Sequence, residues 1–159
     1  VHDDRRYEVG GGAAMVTPRP YVIESSHGEG QLWFTDRVAP WLSLSGVAAF
    51  DTNTAKAGVA ALARYVTTNR FIAGVGAEAG FAWYAGSLSA AGRLFDDTWI
   101  YASPRIYNWG IFATPGLPVG VTTRIYRGFH LRAEAQLSWQ EFKYYNRRLH
   151  LSAAAAFEW

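Results

Sequence analysis

The segment Phe129–Trp139, F-H-L-R-A-E-A-Q-L-S-W, alternates without error. Phe129, Leu131, Ala133, Ala135, Leu137 and Trp139 are apolar, and His130, Arg132, Glu134, Gln136 and Ser138 between them are polar. Successive side chains of a strand point to opposite faces, so this run sorts at period two. Wound as a helix, it would place Arg132 and Gln136 on the stripe that holds Phe129, a poor amphipathic face. The segment is read as a strand with one apolar and one polar face.

The same rhythm recurs along the chain. Phe71, Ala73, Val75, Ala77, Ala79, Phe81 and Trp83 share a face, as do Ala57, Val59, Ala61, Ala63 and Tyr65. Leu117–Ile125 and Leu149–Trp159 repeat it, and Arg6–Val16, His27–Thr35 and Trp41–Phe50 complete a set of eight expected strands. Many run ten residues or more. Strands of soluble proteins average about five or six residues, whereas a tilted crossing of a bilayer takes about nine to eleven. The segments Asp36–Pro40, Thr67–Arg70 and Tyr126–Gly128 read as short turns. Asp51–Ala55 is also short, and Thr17–Ser26, Gly86–Gly110 and Glu141–Arg148 read as longer loops on the opposite side. Both termini then fall on the short-turn side, the asymmetry of outer-membrane barrels.

Composition narrows the setting. The 159 residues fit one domain spanning 1–159. No stretch offers the eighteen or so apolar residues of a membrane helix, so a crossing has to rest on strands. Aromatics are 16 % of the chain, and many fall near expected strand ends: Tyr65, Phe71, Trp83, Tyr84, Tyr126, Phe129, Trp139, Phe142, Tyr144, Tyr145, Phe157 and Trp159. Such rings prefer the headgroup level, which predicts two aromatic girdles. A formal charge of +2 with scattered basic residues argues against a nucleic-acid partner. The absence of cysteine excludes disulfides and thiol chemistry. The chain begins at Val1, from which a processed protein with its signal peptide removed is expected.

With eight alternating strands, unequal loops and the ending A-F-E-W, the chain resembles the small outer-membrane barrels of the OmpA transmembrane domain and OmpX type. The resemblance is one of pattern over nearly the whole chain. It implies an all-β, eight-stranded antiparallel up-and-down transmembrane β-barrel in the outer membrane of a Gram-negative cell, in contact with lipid and lipopolysaccharide. It also implies that Phe157 and Trp159, with apolar residues at alternate positions before them, form the signal read by the barrel-assembly machinery.

If the apolar face meets lipid, the polar face fills the lumen. An eight-stranded bore is only wide enough for side chains, and unpaired charge there is costly. Arg64, Arg124 and Arg132 are therefore expected to interlock with Glu29, Glu78 and Glu134 in a plugged lumen. The alternative for those charges is a narrow gate whose pairs exchange partners.

Specificity is expected in the outer loops, above all in Gly86–Gly110, with Phe95, Trp99, Tyr101, Tyr107 and Trp109 as contacts for another envelope protein. Glu141–Arg148 adds basic and aromatic groups suited to lipopolysaccharide phosphates. An enzymatic alternative, a lipid A deacylase, is implied by His150-Leu151-Ser152, which resembles the His-x-Ser pair of the barrel deacylases. Its acidic candidate Glu158 would lie roughly 20 Å along the strand from Ser152, too far to orient the imidazole. No cofactor is expected. His2, His27, His130 and His150 lack the spacing of a metal site, and Asp51-Thr-Asn-Thr reads as a turn. Gly10–Gly12 precede no helix and are not a phosphate loop. The rival fold is a soluble barrel of the lipocalin type, with its apolar face turned inward.

Overall fold

A computed structural model of the chain describes residues 6–17, 26–51, 55–81, 83–109, 112–139 and 147–159. They form one antiparallel sheet closed on itself. Its segments are β1 (Tyr7–Val16), β2 (His27–Ala39), β3 (Leu42–Phe50), β4 (Ala55–Thr67), β5 (Phe71–Gly80), β6 (Trp83–Phe95), β7 (Thr98–Ala102), β8 (Arg105–Trp109), β9 (Phe112–Tyr126), β10 (Phe129–Trp139) and β11 (Arg147–Glu158). Each pairs with its sequence neighbours except β7 and β8, which both pair with β6 and β9, and β1 closes the ring on β11 through partners from Glu8↔Glu158 to Val16↔His150.

The ring has ten staves, not the expected eight. The eleven segments reduce to ten because β7 and β8 are halves of one stave, both lying between β6 and β9 in a register that continues across the gap between them. The gap falls at Ser103-Pro104, where proline has no N–H to donate. Backbone bonding resumes at once, with Leu88 N donating to Pro104 O and Ser103 N to Pro118 O.

The two unexpected staves, β6 and β7/β8, occupy the stretch expected as the Gly86–Gly110 loop. The physical reason is visible in their faces. In β6, Ala and Gly stand on both sides, so alternation carries little contrast. In β7 and β8 the inward positions hold aromatics (Trp99, Tyr101, Tyr107) while the outward ones hold Ile100 and Ile106, so apolar residues line both faces. A run apolar on both faces has no period to read.

The chain also departs from expectation at turns. β2 runs past Asp36 through a register shift to Ala39, so the turn is Pro40–Trp41. β5 stops at Gly80 rather than continuing to Trp83. On the side of the chain ends, Gly128 takes a φ of 76° in the turn between β9 and β10, a conformation that suits glycine. There too, Arg93 donates to Asp96 O at 2.8 Å and to Asn69 O at 3.4 Å, tying two neighbouring turns together.

Outward positions are apolar around the ring. Leu32, Leu44, Val59, Val75, Leu88, Ile100, Ile106, Val119 and Leu131 are all exposed. Aromatics crowd the terminus end of this belt, including Phe34, Tyr65, Phe71, Tyr126, Phe157 and Trp159. Tyr7 stacks on Phe34 there, with centroids 6.0 Å apart. At the opposite, loop end stand Phe50, Phe81 and Tyr84, with Phe81 at 95 % exposure. Trp83, expected in a girdle, instead turns inward over Gly58 and Gly80 and meets Tyr107. Phe142, Tyr144 and Tyr145 lie outside the described residues.

Candidate functional site

The inward face carries a continuous layer of contacts across the bore. Arg105 of β8 places one guanidinium nitrogen 3.6 Å from Glu78 of β5 and the other 3.7 Å from Glu134 of β10. Tyr101 of β7 donates to the same Glu134 carboxylate at 2.8 Å. The Arg132 guanidinium lies 5.7 Å from the Tyr101 ring centroid and 5.4 Å from that of Trp33 on β2. Trp33 in turn donates its indole N–H to Glu8 of β1. The chain Glu78–Arg105–Glu134–Tyr101–Arg132–Trp33–Glu8 therefore links staves on opposite sides of the ring.

Local sequence makes room for this layer. A Cβ on Gly10 would overlap the Trp33 ring, and one on Gly120 would overlap the Tyr101 hydroxyl. Strand glycines where another group approaches closely are expected at such points. Two carboxylates share Arg105, and Arg132 is held between two π-faces, so the charges are compensated within a narrow interior.

Two smaller polar clusters flank the layer. Near the termini a cavity of about 100 Å³ is lined by Glu8, Arg37, Ser43, Arg64 and Glu158, among others. His130 Nε2 lies 3.2 Å from Glu158 there. At its rim Arg6 bonds Asp36 at 2.9 Å, and that bond raises the guanidinium pKa above its ordinary value. At the loop end, His27 Nε2 lies 3.4 Å from Glu29.

The residues expected to interlock are thus spread over three levels. Glu78, Glu134 and Arg132 lie in the central layer, Arg64 lies at the terminus end, and Glu29 is at the loop end. Arg124 is the register partner of His130. The cation between Glu78 and Glu134 is Arg105, which sequence reasoning had assigned to a loop. Trp33 was missed because an aromatic on a polar face looks like an exception to the alternation.

Of the aromatic residues expected on an outer loop, Trp99, Tyr101 and Tyr107 sit on inward positions of β7 and β8. Phe95 ends β6 beside the Asp96–Asp97 turn, on the terminus side. Trp109 ends β8, and its side chain lies outside the described residues. His150 and Ser152 lie on β11, where Glu158 is engaged by His130 instead. Phe157 and Trp159 stack at the last strand's end, with centroids 6.0 Å apart.

No protein-family model matches the chain, and no curated protein matches its sequence. Among solved structures it is similar to the KdgM porin, at TM-score 0.54 and 11 % identity over 96 % of this chain and 99 % of that one. It is similar also to a barrel from the de novo design of transmembrane β-barrels, at TM-score 0.51 and 10 % identity over 97 % and 95 %. The CymD monoaromatic hydrocarbon channel matches at TM-score 0.53 and 9 % identity, over 84 % of this chain and 52 % of that one. At such identities the likeness is one of fold, a closed antiparallel transmembrane-type barrel.

Proposed function

We propose that the protein is an outer-membrane β-barrel of a Gram-negative-type envelope with a plugged lumen, serving as a membrane-spanning structural and interaction protein. The observation that carries this reading is the contact chain from Glu78 to Glu8. It sets Arg105, Arg132, Tyr101 and Trp33 across the path that a solute would follow. The membrane setting is supported by the ring's apolar exterior and two aromatic rims, since a soluble protein rarely exposes so large an apolar patch. A lipocalin-type barrel would have the opposite polarity.

Lipid and lipopolysaccharide are the partners of the exterior; the phosphate contacts expected of Glu141–Arg148 fall on a stretch of which residues 141–146 lie outside the described residues. The barrel-assembly machinery reads Phe157 and Trp159 during biogenesis. The role given to Gly86–Gly110 does not carry over, because that stretch is barrel wall; another envelope protein would have to meet the remaining loops.

A narrow gated channel is the second reading. It is favoured by ion pairs at 3.6 and 3.7 Å, longer than a tight charge-assisted bond, and by the porin and channel among the similar folds. Partition tests the membrane setting. The protein is expected to fold and resist proteolysis in detergent or lipid vesicles and to aggregate in plain buffer; a monodisperse, folded protein in plain buffer would overturn it.

A further inference from the structure

We propose that the loop-end mouth of the lumen is a divalent-cation site formed by His27, Glu29 and Asp51, suited to a first-row transition ion such as Zn²⁺. His27 opens β2, and Glu29, two residues on, points to the same lumen face. Asp51 follows Phe50, whose register partner is Gly30, so the same register sets Asp51 beside Glu29. One potential ligand atom from each of His27, Glu29 and Asp51 lies within 4.8 Å of the others, and all three residues are half-buried. A hydrated ion arriving from the loop end can therefore reach them.

His150 of β11 lies nearby but outside this three-residue group. Val16 is the register partner of both His27 and His150, so the two histidines flank it on one rung across β2, β1 and β11. The inner wall is concave, which makes side chains on neighbouring staves converge.

The donor set selects the ion. Imidazole nitrogen with carboxylate oxygen suits zinc and its neighbours, whereas calcium and magnesium prefer oxygen alone. Two ligands about 2.0 Å from a tetrahedral zinc stand about 3.3 Å apart, close to the 3.4 Å between His27 Nε2 and Glu29 Oε1. The sequence concealed the site because its donors come from two separate strand ends rather than a spaced motif. The site does not depend on whether the lumen below it conducts.

Metal-free protein in detergent, titrated with Co²⁺ and followed by visible absorption, tests the site. One equivalent is expected to bind, to be displaced by Zn²⁺ and to be unaffected by excess Ca²⁺. H27Q and D51N should weaken binding by about tenfold or more, since even outer-shell changes cost about 10- to 100-fold, and H130Q at the other end should not. Protection from diethyl pyrocarbonate, read by mass spectrometry, gives an answer without substitution: zinc should shield His27 in the wild-type barrel. Absence of cobalt binding, unchanged affinity in folded H27Q and D51N, or equal modification of His27 with and without zinc would each overturn the proposal.

Discussion

The Arg105 guanidinium lies 3.7 Å from the Glu134 carboxylate, with β9 between the staves that carry them. The same guanidinium reaches Glu78 on the other side, with β6 intervening. One cation thus balances two inward carboxylates. Removing it leaves both without that partner, a costlier change than removing all three charges together.

Arg105→Ala is therefore expected to destabilise the barrel by about 3 kcal/mol. Combining Arg105→Met with Glu78→Gln and Glu134→Gln should recover most of that loss. Urea unfolding in lipid vesicles, followed by tryptophan fluorescence, measures both. A triple variant weaker than the single one would show that the charges stabilise beyond their mutual compensation.

Gly120 leaves space for the Tyr101 hydroxyl. Gly120→Val should cost about 1–3 kcal/mol by overpacking, and pairing it with Tyr101→Ala should return part of the loss. Strictly additive losses in a double-mutant cycle would mean that the two positions do not share that space.

Ile100 is exposed on the outer face of β7, while Tyr101 beside it points inward. Ile100→Arg is expected to destabilise the barrel, by less than the ~2–4 kcal/mol of a bilayer-centre site because Ile100 lies two residues from the start of β7, measured by unfolding from vesicles. Ile100→Leu should be close to neutral. If arginine were tolerated as well as leucine, that face would not meet lipid.

Phe157→Ala with Trp159→Ala should slow assembly by the cellular machinery far more than spontaneous folding into detergent. The contrast is the informative part, because the Phe157–Trp159 stack also packs beside Tyr7. An equal effect in both assays would assign the pair to stability alone.

Alternation made the lipid-facing side legible wherever one face was apolar and the other polar, as in Phe129–Trp139, which matches β10 residue for residue. It failed at Trp83–Trp109 because Trp99, Tyr101 and Tyr107 fill the lumen with aromatic rather than polar groups. That inversion hid the stave of β7 and β8 and, with it, Arg105, while Ala and Gly on both faces of β6 hid the other stave. Glu78, Glu134 and Arg132 were readable as inward charges, but their partners were not. Partnership depends on which staves face each other, and the count of staves sets that. The loop-end donors were hidden for a related reason: Glu29 and Asp51 become neighbours only when β2 pairs with β3.

The central claim is a lumen closed by the layer from Glu78 to Glu8. Single-channel recording of the purified protein in planar bilayers tests it most directly. The wild-type barrel is expected to give no steady ion current, and a variant combining Trp33→Ala, Arg105→Ala and Arg132→Ala should conduct if it folds. Robust, steady currents from the wild-type protein would contradict the account.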